Sequence, residues 1–217
     1  MFENEKRLII DTCKQMQTLG YFIGTWGNIS MRVENCIIVT PSRVSYNNMD
    51  VSDMIVLDMD GNKIEGYRNP TSEKEVHRQI YLKRPDLNAI IHTHTEKCMA
   101  VSATNNKEVP CLVEEMSQLL GGTIPLTDHY VPAEQHEQLG LAAAEAIKGA
   151  NGVILRNHGG VACGKNMEEA VLAVKVMEKS CGIFLSITPK LLIEEIPVCF
   201  VESERYRFLH LYGHENT

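Results

Sequence analysis

The chain has 217 residues, of which 44% are hydrophobic and 23% are charged, and its formal net charge is −7. This length predicts one globular domain over residues 1–217, with enough apolar side chains to bury a core. The acidic balance, and the lack of any lysine- or arginine-rich run, argue against nucleic acid or a membrane surface as a partner.

The seven cysteines are scattered along the chain and form no CxxC pair. This distribution argues against a disulfide scaffold or a structural cysteine zinc site and favours reduced, buried thiols in a cytoplasmic protein. The first ten residues, MFENEKRLII, have neither a basic start nor a long apolar stretch, so we expect no signal peptide. No run approaches the roughly 18 apolar residues that a membrane helix needs.

The first third of the chain predicts a helix followed by short neighbouring strands. Helical spacing over residues 3–19 ends at Gly20. Four strands are predicted next, at residues 28–33, 36–40, 54–59 and 63–65. The first two flank the Glu34–Asn35 turn, which favours an antiparallel arrangement.

The rest of the chain alternates helices and strands. Ser72 and Glu75 form a capping-box pattern that predicts the start of a helix ending near Lys83. Further helices are predicted at 95–104, 134–148, 167–187 and about 202–211, and strands at 88–94, at 152–157 and just before Cys163. Glycines and prolines interrupt residues 105–133. The mixed order predicts an α/β sandwich with a mainly antiparallel sheet.

Two histidines end an apolar run in AIIHTHTEKCMA, with one residue between them. His92 and His94 share a strand face in this register, and two imidazoles at that spacing can bind one metal ion. Catalytic zinc usually takes three protein ligands, and His158, in ILRNHGG, is the best third candidate. Gly159 and Gly160 allow other groups to approach closely. The alternative is that the pair lies on the surface at a strand end.

Glu73 and His77 offer a competing pair, because residues four apart share a helix face. They could bind a metal, but we expect an ordinary surface contact along the helix instead. The remaining histidines lie in loop or polar helix contexts and indicate no site.

The motifs GNIS, TPS, PTSE, HTH and NHGG occur in this order between about Ile10 and Gly213. With them the chain resembles the class II aldolase/adducin family, and most of all its zinc-dependent branch that acts on fuculose 1-phosphate. The resemblance implies a three-layer α/β/α sandwich and a homotetramer with active sites between subunits. It also implies one divalent metal per subunit, Zn2+ or else Mn2+ or Co2+, bound by His92, His94 and His158.

The resemblance implies a reaction as well: reversible cleavage of a ketose 1-phosphate, of the fuculose, rhamnulose or 5-deoxypentulose type, to dihydroxyacetone phosphate and an aldehyde. It makes Glu73 the base at the carbon next to the ketone. Tyr212, in LYGH, takes the place of a tyrosine that a neighbouring subunit contributes as proton donor to the aldehyde oxygen. Tyr212 could equally pack the end of the chain.

By the same resemblance, Gly27, Asn28, Ser42, Thr71 and Ser72 match the phosphate-binding positions. Thr71 and Ser72 precede a predicted helix, whose N-terminus is a natural phosphate seat. The sequence departs from the family pattern at Arg43, where the family often has glycine. Arg43 either contacts the phosphate directly or points away from it. Acidic residues at Glu114 and Glu115 imply a different aldehyde pocket, with Gln118 and Tyr130 as candidates to line it.

Other reactions on this scaffold stay open. Related enzymes epimerise pentulose 5-phosphates, by resemblance with an aspartate where this chain has Glu73, and others dehydrate methylthioribulose 1-phosphate. A third possibility is an adducin-like assembly domain that keeps the fold and has lost the metal site. The intact histidines and Glu73 argue against that possibility.

Overall fold

The computed structural model describes residues 1–187 and 198–210. The helices are α1 (Glu3–Thr18), α2 (Lys74–Lys83), α3 (Glu96–Ser102), α4 (His136–Ile147), α5 (Met167–Ser186) and α6 (Val198–His210). The strands are β1 (Asn28–Val33), β2 (Cys36–Val39), β3 (Ile55–Asp58), β4 (Lys63–Glu65), β5 (Ala89–Thr93), β6 (Glu108–Val109), β7 (Ile124–Pro125), β8 (Gly152–Leu155) and β9 (Gly159–Gly164).

Seven of these strands form one antiparallel sheet in the order β4-β3-β2-β1-β5-β9-β8. The two-residue strands β6 and β7 pair separately. The prediction of an α/β sandwich with a mainly antiparallel sheet is therefore confirmed. The pairing brings β1 and β9 to either side of β5, so that residues distant in sequence meet at one end of the sheet.

Helices cover both faces of the sheet and make three layers. One apolar core joins the sheet to α1, α3 and α5, and includes Ile9, Val101 and Met177. The other joins it to α2 and α4, and includes Ile80 and Leu139. Apolar residues of neighbouring strand positions, such as Ile90 and Ile91, divide between the two cores because strand side chains alternate. Within residues 1–187 and 198–210, no helix is both long and apolar enough to cross a bilayer.

The start of α2 differs from the prediction. The helix begins at Lys74 with Glu73 in the cap position, and no side chain caps it. The Thr71 carbonyl accepts from Lys74 N at 3.2 Å, while the Glu75 carboxylate accepts from Arg78 at 2.8 Å. The predicted capping box between Ser72 and Glu75 is wrong, because Thr71 accepts the first free amide and Glu75 pairs with Arg78 within the helix.

The interrupted segment 105–133 contains β6, β7 and, between them, one turn of π-helix at Met116–Leu120. This turn packs against α5 and α6. Gly121, with a φ of 85°, ends it in the left-handed conformation that glycine adopts without strain.

The predicted tyrosine of the active site, Tyr212, lies outside the described residues.

Candidate metal centre and active site

Four side chains from three separate parts of the chain converge at one end of the sheet. The ligand atoms of Glu73, His92, His94 and His158 all lie within 4.8 Å of one another. His92 is on β5, His94 follows directly after that strand, and His158 lies in the turn between β8 and β9. Glu73 enters from the start of α2. The structure thus brings together the three predicted histidines and the predicted carboxylate.

Strand pairing explains how the histidines meet. His92 lies opposite Asn28 of β1 on one side and Val161 of β9 on the other. The β8–β9 turn then brings His158 back over the end of β5. A side chain at Gly159 would collide with the carbonyl of Thr93 and would lie 3.1 Å from the ring of His94. Glycine is required at this position because the turn passes so close to the two histidines.

The distances within the cluster suit a small cation. Nε2 of His92 lies 2.9 Å from Nε2 of His94. Nε2 of His158 lies 2.8 Å from one oxygen of Glu73, and Nε2 of His92 lies 3.4 Å from the other. Ligand atoms at about 2.0–2.1 Å from a tetrahedral zinc ion lie roughly 3.3 Å apart. These donors can therefore hold one divalent ion after only small movements.

The protonation of the imidazoles also fits metal binding. Burial lowers the pKa of His92 to about 3, and burial lowers the pKa of His94 as well. Both rings are therefore neutral at neutral pH and carry a lone pair. Nδ1 of His92 donates to the carbonyl of Gly160 at 3.0 Å, which leaves the lone pair on Nε2, facing the cluster. Such an outer hydrogen bond is the usual way to orient a metal-binding histidine.

Glu73 is ionised in this environment. Burial alone would raise the pKa of Glu73, but His92 and His158 face its oxygens and Asn28 donates to it at 2.7 Å, which together hold the pKa well below its usual range. Nε2 of His158 cannot donate to Glu73 and bind a cation at the same time. A bound cation would take the place of this contact and would itself favour the ionised carboxylate.

A cavity of about 290 Å³ opens beside the cluster and is lined by Glu73, His94 and His158. The residues predicted to bind phosphate all line the same cavity: Gly27, Asn28, Ser42, Arg43, Thr71 and Ser72. Hydroxyl, amide and guanidinium donors therefore surround the space next to the candidate metal centre. This arrangement can bind an anion and a metal-chelating group of one small molecule.

The backbone conformation at Arg43 shows how an arginine stands where the family often has glycine. Its φ is 59°, in the left-handed region that disfavours side chains with a Cβ atom, and its side chain is exposed at the cavity. The backbone thus keeps the conformation that a glycine would adopt here, while an arginine has been placed at the cavity edge.

The other predicted contacts at the aldehyde end are not among the residues that line this cavity. Glu115 pairs with Lys179 on the surface at 2.5 Å, and the Gln118 backbone carbonyl accepts from Arg205 of α6. Tyr130 is 54% exposed. Their roles in recognising the aldehyde remain predictions.

Sequence reasoning missed two features of the site. The ring of His77 is fully buried and bonds to Asn28 and Ser30, so the expected surface contact with Glu73 is wrong. The spacing of four residues between Glu73 and His77 correctly indicates a shared helix face, but that face packs against β1 and is not exposed to solvent. Trp26, the only tryptophan of the chain, lines the cavity with its ring 6.3 Å from that of His94.

Comparison with known proteins decides the family. Residues 7–185 match the sequence profile described as "Class II Aldolase and Adducin N-terminal domain". The chain belongs to the class II aldolase and adducin family. The L-fuculose phosphate aldolase of Escherichia coli K12 is 32% identical over 206 residues, covering 92% of this chain and 94% of that enzyme. The corresponding enzyme of Methanocaldococcus jannaschii is 35% identical over 181 residues, covering 83% and 96%.

A solved L-fuculose 1-phosphate aldolase superposes with a TM-score of 0.89 and 26% identity, covering 95% of this chain and 96% of that one. Together with the sequence relatives, this similarity makes the protein a class II aldolase, a carbon–carbon lyase. The cluster of Glu73, His92, His94 and His158 is the candidate metal centre of this enzyme, as expected for its class.

Proposed function

We propose that this aldolase cleaves a ketose 1-phosphate reversibly to dihydroxyacetone phosphate and an aldehyde, and that it depends on one divalent metal ion. The observation that carries the proposal is the convergence of three imidazoles and one carboxylate beside a cavity lined by anion-binding donors. The names of the relatives, fuculose phosphate aldolases, support the same substrate class.

His92, His94 and His158 are proposed to hold the ion, for which Zn2+ is the first candidate and Mn2+ or Co2+ the alternatives. When bound, the ion supplies Lewis-acid chemistry that stabilises negative charge on the substrate carbonyl oxygen. The phosphate is assigned to Asn28, Ser42, Arg43, Thr71, Ser72 and the backbone at Gly27, which line the cavity together.

Glu73 is proposed to remove and return the proton at the reacting carbon. In the direction of synthesis, its carboxylate removes a proton from the hydroxymethyl carbon of dihydroxyacetone phosphate, and that carbon forms the new bond to the aldehyde carbon. The aldehyde oxygen then receives a proton from Tyr212 and becomes a hydroxyl group. Cleavage runs through the same steps in reverse, so that Glu73 returns the proton to dihydroxyacetone phosphate.

The assembly is proposed to be a homotetramer in which Tyr212 of one subunit completes the site of its neighbour.

The rival reactions differ in what they require at Glu73. A pentulose-phosphate epimerase would be expected to have an aspartate there, whereas a methylthioribulose-1-phosphate dehydratase shares the histidines. Only the aldolase accounts for the names of the relatives.

The test is a panel of ketose 1-phosphates, with release of dihydroxyacetone phosphate as the measurement. We expect cleavage of a fuculose-, rhamnulose- or 5-deoxypentulose-type substrate, loss of cleavage after metal removal, and recovery when Zn2+ is added. We expect Glu73→Gln to retain the metal and to lose cleavage by at least about a hundredfold, because general base catalysis contributes that much. Unimpaired turnover by Glu73→Gln would refute its role as base, and dehydration of methylthioribulose 1-phosphate without cleavage of any ketose 1-phosphate would favour the dehydratase.

A further inference from the structure

A continuous chain of buried hydrogen bonds leads away from Glu73 into the core. Asn28 Nδ2 donates to Glu73 Oε2 at 2.7 Å, and Asn28 Oδ1 lies 2.5 Å from His77 Nε2. On its other side the ring of His77 lies 2.7 Å, from Nδ1, from the hydroxyl of Ser30. That hydroxyl lies 2.9 Å from the hydroxyl of Tyr81. All five side chains are buried.

The spacing of polar residues in α2 and β1 builds this chain of hydrogen bonds. Glu73, His77 and Tyr81 recur every four residues at the start and along one face of α2. Asn28 and Ser30 are two residues apart on β1 and so share the sheet face that packs against α2. The two rows of polar side chains interlock between helix and sheet, next to the apolar core that contains Val76 and Ile80.

The hydrogen bonds of this chain can run from donor to acceptor in only one direction. Burial lowers the pKa of His77 to about 4, so the ring is neutral and has one donor and one acceptor nitrogen. The Asn28 oxygen can only accept, so His77 donates from Nε2 and accepts at Nδ1 from Ser30. Tyr81 in turn donates its single hydroxyl proton to Ser30, shared between the Ser30 hydroxyl at 2.9 Å and the Ser30 carbonyl at 3.1 Å. Every donor in the chain therefore points toward the carboxylate of Glu73.

We propose that His77 is a positioning residue of the active site: by donating to the Asn28 oxygen, it fixes the Asn28 amide with its NH2 group toward Glu73. This proposal rests on the proposed function, in which Glu73 moves the proton at the reacting carbon. His77 lies two hydrogen bonds away from the carboxylate, through Asn28, and its own hydrogen bonds go to Asn28 and Ser30 and not to the three candidate metal-binding histidines.

The role follows from what holds the Asn28 amide in place. Its nitrogen bonds to the Glu73 carboxylate and its oxygen bonds to the ring of His77, so these two partners fix both ends of the group. If the donor of His77 is lost, the Asn28 oxygen is buried without that partner and the amide is held at one end only. The amide can then move, and the hydrogen bond that holds Glu73 beside the reacting carbon moves with it. A hydrogen bond to a charged group is worth enough to change a rate about tenfold or more.

The primary test uses His77→Leu, which fills the buried site and removes the donor. The measurement is exchange of solvent deuterium into dihydroxyacetone phosphate by the metal-loaded enzyme, which isolates the proton transfer assigned to Glu73. We expect exchange to fall about tenfold while the bound metal stays at the wild-type level. Exchange within a factor of two of wild type would overturn the proposal.

A double-mutant cycle with Asn28→Ala separates positioning from packing. If His77 acts through Asn28, His77→Leu should slow exchange about tenfold in the wild type and less than twofold when Asn28 is already alanine. Equal losses in both backgrounds would mean that His77 acts only through packing, and would overturn the proposal.

Three further variants keep the test decisive. His77→Gln retains a donor that can reach Asn28, so we expect it to recover most of the lost exchange, and failure to do so in a folded variant counts against the proposal. Ile80→Ala, on the same helix, removes core packing alone and should not slow exchange at a temperature where it is folded. If His77→Leu does not fold, Ser30→Ala replaces it, with a smaller loss expected that again disappears in the Asn28→Ala background.

The proposed function and this inference fail in different ways. A wild-type enzyme that exchanges no deuterium would refute the proposed function. A wild type that exchanges, with an inactive Glu73→Gln and an unaffected His77→Leu, would overturn only the role of His77.

Discussion

Arg43 combines a backbone conformation that suits glycine with a side chain that suits phosphate. Its φ of 59° costs roughly 1–2 kcal/mol relative to glycine, and nothing in the apolar core depends on its side chain. An unfavourable backbone at an exposed cavity residue is most simply explained if the guanidinium contributes to binding.

The first prediction concerns Arg43→Gly, which removes the guanidinium and suits the backbone. We expect the affinity for dihydroxyacetone phosphate to fall about tenfold, since a charge-assisted hydrogen bond is lost, while the free energy of unfolding stays the same or rises slightly. Titration calorimetry and chemical denaturation measure the two effects. Arg7→Ala, at an exposed position of α1, is the control. Unchanged affinity for dihydroxyacetone phosphate would show that Arg43 points away from the substrate.

The packing of α2 on β1 supports both the core and the site. Its polar contacts to β1 lie beside the apolar contacts of Val76 and Ile80, so that one face of the helix contributes to both. His77 is the titratable group at the centre of this contact.

A second prediction follows from the pKa of His77, about 4 in the folded protein against 6.5 for the free side chain. Below pH 6.5 the unfolded chain binds a proton at this position and the folded protein does not, so stability is complete above pH 6.5 and decreases as the pH falls toward 4. The loss amounts to about 3 kcal/mol over this range.

The measurement is the free energy of unfolding of the metal-free protein at pH 7 and at pH 4.5. We expect His77→Gln to lose less stability than the wild type between these two values. His136→Gln, at an exposed position at the start of α4, should lose as much as the wild type. An equal pH dependence of His77→Gln and wild type would contradict the buried, neutral state of the ring.

The elements themselves were largely predictable from the sequence, because their signals are local. Short apolar segments bounded by turn residues placed β1, β2 and β5, and helical spacing placed α1 and α5, within about two residues of their ends. What failed depended on contacts between elements. His77 looks like a surface residue when only α2 is considered, and the start of α2 is set by Thr71 and the inward turn of Glu73. The histidines were predictable because HTH and NHGG each end an apolar strand.

For the protein as a whole, the main prediction is that the active site is shared between subunits. Tyr212 lies near the end of the chain, beyond α6, while Glu73 starts α2. If Tyr212 completes a neighbouring site, each site takes Glu73 from one subunit and Tyr212 from another. A Glu73→Gln subunit paired with a Tyr212→Phe subunit can then form one site in which both residues are intact.

Mixing the two inactive variants tests this directly. After dissociation and reassembly of an equal mixture, we expect cleavage activity to recover to about one quarter of the wild-type value, because that fraction of sites combines two intact partners. Each variant reassembled alone is the control. Activity no higher than that of the separate variants would contradict a shared site.

The proposed catalytic chemistry requires one divalent ion, held by three imidazoles beside Glu73. The most direct measurement is an anomalous difference map at the zinc edge, from crystals grown with Zn2+. We predict a single strong peak per subunit, about 2.0–2.1 Å from Nε2 of His92, His94 and His158. A map with no peak at this cluster, or with a peak bound by fewer than these three rings, would contradict the assignment of the metal centre.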